Sequence, residues 1–159
     1  MNWVWFNLSA NKTLLDWEKT FHLWREHGIT GLLPNIYNSK KAFYNSDYLQ
    51  VQEAVLEKIL PLAKKVGFEV HGWMWTMPNS DEQFAEKYPE AFVVNRLGES
   101  ARTNPAYVRH YKFLCPNRPE TQEHVRKIVT ELAQIELLDG IHLDYIRYPD
   151  VILPVALQP

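Results

Sequence analysis

The sequence predicts an α/β fold: a parallel sheet assembled from about four βα repeats. Two observations carry that expectation. Short apolar runs rich in aromatic and β-branched residues recur at Asn2–Leu8, Ile29–Leu33, Phe68–Trp75 and Ile141–Tyr145. Between them lie longer segments whose apolar residues return at helical spacing, so that each strand reaches the next through a helix and lies parallel to it.

Taken in order, Asn2–Leu8 (NWVWFNL) is a nearly continuous apolar run, the pattern of a strand buried on both faces. Asn11–His27 follows as a helix, with Leu14, Trp17, Phe21 and Trp24 on one stripe and Gly28 as its stop. The second strand, Ile29–Leu33, is ended by Pro34, and Asn35–Asp47 is a polar-aromatic loop long enough to suggest function. A second helix is expected from about Leu49 to Lys65, kinked or divided by Pro61 and closed by Gly67. Phe68–Trp75 is the third strand. Ser80 and Gln83 form a capping box for a short helix ending near Tyr88 and Pro89, and Phe92–Gly98 reads as a small hairpin insertion. Pro119 and Glu120 open the fourth helix, whose apolar stripe is Val125, Ile128, Val129, Leu132 and Ile135.

With 159 residues, the chain suits a single domain with a real core. The formal charge of −2 and scattered basic residues give no electrostatic footprint for nucleic acid. No apolar run approaches the ~20 residues of a membrane span, and Met1 leads almost directly into the first strand with no charged n-region or apolar h-region, so no signal peptide is expected in this stretch. The one cysteine, Cys115, excludes an internal disulfide and reads as a packing residue. Six Trp, eight Tyr and seven Phe suit either stacking on sugar rings or plain core filling.

The stretch Asp139–Asp150 (DGIHLDYIRYPD) is the functional focus. By strand alternation His142, Asp144 and Ile146 share one face, Ile141, Leu143 and Tyr145 the other. A carboxylate at the end of a buried strand is costly unless paired or used. Arg147 and Tyr148 bring a cation and a phenol close behind it. GIHLDYIRYP resembles the fourth-strand signature of the glycoside-hydrolase-like (β/α)8 barrels, the family-10-like glycosyl hydrolases. VGFEVHGWMW (Val66–Trp75) resembles that family's third strand, HGITGLLPNIYN (His27–Asn38) its second, and FLCPNRPETQEHV (Phe113–Val125) the Pro-rich approach to its fourth helix. A complete barrel of this kind takes ~250 residues, so four βα units correspond to its N-terminal half. An open flavodoxin-like sheet is the alternative fold, although no strand leads into a Gly-rich phosphate loop.

The resemblance implies that Asp144 is the acidic catalytic residue at a sugar-binding mouth formed by the C-terminal strand ends. His142, on the same face, and Arg147 are expected to position or tune it, the cation favouring the ionised carboxyl. His71 is expected at the same depth as His142, sharing its wall with Trp73 and Trp75, and these three residues with Tyr148 complete the substrate-binding set. Asn7, Asn35, Tyr37 and Asn117 are weaker candidates for hydroxyl contacts. Asp139 reads as a turn or cap residue. Asp150, on the following loop, has no assigned role. His22, His27, His110 and His124, and the helix carboxylates Glu18, Glu53, Glu57 and Glu131, read as solvated or capping.

Glycoside hydrolysis ordinarily needs two carboxyl groups, and the sequence places only Asp144 well. A non-catalytic carbohydrate-binding half-barrel is therefore the second reading. A metal hydrolase built on His71, His142 and Asp144 is a third, disfavoured because no HxH or HExxH pair is present. No cofactor and no metal is expected, and the partner expected is a carbohydrate substrate. A half-barrel has two open sheet edges and an uncovered apolar face, so self-association or pairing with another chain is expected too. The resemblance implies a secreted or periplasmic bacterial setting.

Overall fold

The structure, a computed structural model, describes residues 1–106 and 108–149; the expectation for Asp150 falls outside them. Four strands alternate with helices: β1 (Trp3–Asn7), α1 (Leu14–Glu26), β2 (Gly31–Tyr37), α2 (Val55–Val66), β3 (Glu69–Trp75), α3 (Glu82–Lys87), α4 (Pro119–Leu132) and β4 (Gly140–Asp144). The strands form one sheet in the order β1-β2-β3-β4, and every pairing is parallel. This is the expected run of βα units.

Local chemistry sets the boundaries. Thr13 caps α1 by accepting from the Asp16 amide while the Asp16 carboxylate accepts from the Thr13 amide, so the helix starts at Leu14, three residues later than expected. Gly67, at φ +84°, ends α2 in the left-handed conformation that favours glycine. The cap of α3 is Asp81, whose carboxylate accepts from the Gln83 and Phe84 amides; the expected Ser80–Gln83 box does not form. Asn95 and Gly98 close the expected hairpin, with Val94 bridged to Ser100.

Four expectations change. Pro34 does not end β2 but lies inside it, opposite Phe6 of β1, and the ladder to β3 resumes at Asn35 after Leu32 because proline cannot donate. Residues 49–54 are not helical: Val51 bridges to Ala42, whose amide donates to Gln50, and α2 begins at Val55. Within α2, exposed Pro61 leaves a single helix rather than two turns. The strand buried throughout is β2, not β1, which lies at the edge of the sheet.

The core lies between the sheet and its helices. Leu32, Ile36, Val70 and Met74 face Trp17 and Phe21 of α1, Leu56, Ile59, Leu60 and Ala63 of α2, and Ile128 and Leu132 of α4. A smaller cluster of Phe84, Ala85, Ala91, Phe92 and Leu114 supports the segment between β3 and α4. Asp139 pairs with Lys64 and accepts from the Val70 amide at 2.7 Å, tying α2 to the start of β3 and β4.

Candidate functional site

The opposite face of the sheet is built in layers, because register pairs on parallel strands present their side chains to the same side. In the lowest layer, large and absent side chains alternate across the strands. The Trp3 indole extends over Gly31, and its ring lies 4.7 Å from that of His71, which covers Gly140. A Cβ on Gly31 would meet Trp3 at 2.3 Å, and one on Gly140 would meet His71 at 2.9 Å. The next layer holds Trp5, Leu33, Trp73 and His142, with the rings of Trp5 and His142 edge-on at 5.8 Å. At the C-terminal strand ends stand Asn7 and Asn35, paired with each other, and Trp75 and Asp144, also paired.

Asp144 terminates β4 with both carboxylate oxygens engaged. Trp73 Nε1–H donates to Oδ2 at 2.9 Å, and the Tyr145 amide donates to Oδ1 at 2.7 Å. Tyr145 itself stands at φ 52°, a left-handed conformation that a tyrosine rarely adopts. The strand therefore ends at Asp144, and the alternation expected through Ile146 stops there. The Tyr145 ring turns onto Trp75 at 5.6 Å and Phe113 at 6.2 Å. Each carboxylate oxygen has a second lone pair, so the group keeps acceptor capacity after these two bonds.

The other sequence candidates separate by depth. His142 pairs with Trp73, one layer below Asp144, as expected. His71 pairs with Gly140 and so lies one layer deeper than His142, not level with it; its Nε2 meets Glu69 Oε1 at 3.0 Å. Arg147 was expected against Asp144. Its guanidinium instead lies 5.0 Å from the Tyr145 ring centre and 5.9 Å from that of Phe113, and Nη1 donates to the Tyr148 carbonyl at 3.1 Å. The aromatic exit residue beside Asp144 takes the cation, and the indole of Trp73 takes its place at the carboxylate. Tyr148 is exposed, and desolvation together with neighbouring Cys115 raises its phenol pKa. Among the weaker candidates, Asn35 is buried at the mouth, Tyr37 points away into the helix layer, and Asn117 is exposed before α4. Among the described residues no three His, Cys, Asp or Glu side chains stand close enough to hold a metal ion.

Residues read as solvated or capping take other roles, Glu131 and His124 above all, and Glu57 accepts from the Asn45 amide at 2.6 Å. Glu131 accepts from Tyr44 Oη (2.9 Å), Ser46 Oγ (2.6 Å) and the amides of Asp47 (2.9 Å) and Tyr48 (3.1 Å), pinning the long loop after β2 to α4. His124 is buried, with Nδ1 2.8 Å from Tyr48 Oη and Nε2 3.3 Å from Tyr37 Oη. It forms the floor of an outer cleft of about 250 Å³ between α3 and α4, walled by Tyr48, Phe84 and Tyr88. The apolar stripe of α4 holds the one available signal, since His124 falls four residues before Ile128 and eight before Leu132.

No protein-family model matches the chain, and no curated protein matches it. Solved structures do. A hypothetical protein from Ruminiclostridium thermocellum superposes with a TM-score of 0.74 at 17% identity, over 92% of this chain and 78% of that one. A maltogenic alpha-amylase from Thermotoga neapolitana matches at TM-score 0.64 and 15% identity, over 98% of this chain and 41% of its own. An alpha-L-fucosidase from Paenibacillus thiaminolyticus matches at 0.65 and 15%, over 91% of this chain and 23% of its own. The chain thus spans less than half the length of these two glycosidases, and at such identities the likeness is one of fold: four parallel βα units, as in half of a glycoside-hydrolase-like barrel.

Proposed function

We propose that the chain is the N-terminal half of a glycoside hydrolase of the family-10-like kind, acting on a poly- or oligosaccharide, with Asp144 as its acidic catalytic residue. One observation carries the reading. A carboxylate stands at the C-terminal end of a strand, oriented by an indole and a backbone amide, with Trp75 beside it in register. That is where a barrel gathers its chemistry, and the pairing of a carboxylate with aromatic faces suits a sugar ring. Trp73, Trp75 and His142 line the wall below and beside it. Arg147 and Tyr148 act from the exit loop, and His71 supports the wall from beneath. The resemblance of GIHLDYIRYP and VGFEVHGWMW to the family's fourth and third strands supports the same assignment.

A second reading, non-catalytic glycan binding, is favoured by the other inward carboxylate. Glu69 lies at the start of β3, bonded to His71 and far down the strand from Asp144, so these four strands do not supply the pair that glycoside hydrolysis uses. Reducing-end release from soluble oligosaccharides, measured for the native chain and Asp144→Asn, separates the two. Hydrolysis predicts turnover that falls by about 10²–10⁴-fold in the variant. Saturable binding without reducing ends, or turnover indifferent to Asp144→Asn, selects the binding reading.

The same fold supports self-association. Among the described residues β1 and β4 each have a strand neighbour on one side only, and Trp5, Leu143 and Ile146 are exposed.

A further inference from the structure

Two buried donors near the C-terminal strand ends have no hydrogen-bond partner among the described residues. Asn35 is 2% exposed, and its Nδ2 makes no hydrogen bond among the described residues. The same is true of Trp75 Nε1. Both side chains stand on the Asp144 face near the C-terminal strand ends, Trp75 in register with Asp144 and Asn35 in register with Trp73, whose indole bonds Asp144. An indole N–H can only donate, and a buried donor left unpaired is costly enough that native structures seldom keep one without use. Beside them Asp144 retains acceptor capacity. This end of the sheet thus carries N–H donors and a carboxylate acceptor on one face, the complement of a hydroxyl that both gives and takes a hydrogen bond. Its charge is one-sided as well: the inward strand positions carry Glu69 and Asp144 and no Lys or Arg. Arg147, the cation next in sequence, lies over Tyr145 and Phe113.

Resting on the carbohydrate reading above, we infer that Asn35 and Trp75 are specificity residues, whose N–H groups take oxygens of an uncharged sugar beside Asp144 and make the site select neutral over acidic glycans. A uronic acid would bring a carboxylate against Asp144 with no inward cation to offset it.

The six tryptophan indole signals in a ¹H–¹⁵N spectrum of the whole chain test this, with Trp75→Phe assigning one of them and Trp73→Phe another. Neutral cello-, xylo-, malto- and chito-oligosaccharides are titrated in turn, then oligogalacturonate. The expected result is a neutral oligosaccharide that shifts the Trp75 indole signal and binds about five- to tenfold more weakly to Asn35→Leu, a change that keeps volume and removes the donor. Should Asn35→Leu not fold, the Trp75 signal and the affinity of Trp75→Phe carry the test. A neutral glycan that shifts the Trp73 signal and binds Asp144→Asn more weakly, yet leaves the Trp75 signal unmoved, overturns the inference while the carbohydrate reading stands. Oligogalacturonate binding as tightly as any neutral glycan also overturns it. Binding of no glycan at all removes both.

Discussion

His124 has both ring nitrogens engaged, Nδ1 with Tyr48 and Nε2 with Tyr37 and, at 3.5 Å, with the Asn79 amide nitrogen. The Asn79 NH₂ can only donate, which assigns Nε2 as the acceptor and Nδ1–H as the donor to Tyr48 in the neutral ring. Burial, with Lys127 adding to it, pushes the imidazole pKa down to about 4. The unfolded chain takes up this proton near pH 6.5 and the folded chain only near 4, so stability is complete above about pH 6.5 and falls as the pH drops through that window. The loss from this residue approaches about 3 kcal/mol by pH 4. Urea midpoints from pH 7.5 to 4.5 should decline, and His124→Gln, less stable at neutral pH, should show a flatter curve over the same range. An equal slope in both proteins would exclude the assignment. Neither His124 nor Glu131 was legible as a buried partner in the sequence, because the groups that engage them lie more than 40 residues away. Asp144 was legible, since a carboxylate closing an apolar strand stands out locally.

β2 shows how an element's place in the sheet overrides its local signals. Pro34 reads as a terminator, yet a strand with neighbours on both sides keeps it by leaving one stretch of the β3 ladder unpaired. The alternation of Trp3, Gly31, His71 and Gly140 is equally non-local: each glycine is needed because a ring from the adjacent strand occupies the space of its side chain. Gly31→Ala should therefore destabilise the chain by about 1–3 kcal/mol through overpacking against Trp3. Adding Trp3→Val should return a substantial part of that loss in a double-mutant cycle by chemical denaturation. Additive effects would show that the contact with Trp3 is not what excludes a side chain at Gly31. The helices were easier to anticipate, since α1 buries Trp17 and Phe21 and α4 buries Ile128 and Leu132 from the stripes their spacing marks out, although Leu14 stays exposed, but the start of α2 was not. Residues 49–54 satisfy their backbone through the loop around Ala42, a pairing that periodicity does not report.

At the scale of the molecule, the sheet formed by the described residues has two edge strands and an inward face on which Trp5 is 55% exposed, with Leu143 and Ile146 also open to solvent. Unpaired strand edges next to apolar surface favour association. Size-exclusion chromatography with light scattering should give a mass above the 18.7 kDa of one chain, rising with concentration. A monodisperse monomer at high concentration would show that these edges are covered within the chain. The parallel order of the sheet, on which this prediction rests, was expected from the alternation of apolar runs and helical stripes alone.

The sequence by itself determined the number and order of the βα units, the parallel sheet they imply, and the position of a carboxylate at the end of the last strand. Those features depend on hydrophobic periodicity and chain connectivity, which are local properties of the polymer. Only the tertiary structure decided which strand is central, how deep His71 lies, and that Trp73 rather than Arg147 holds Asp144. It alone showed Asn35 and Trp75 with donors that find no partner among the described residues. Register between strands and the reach of side chains across them depend on residues far apart in the chain, and no local pattern records which of those neighbours will meet.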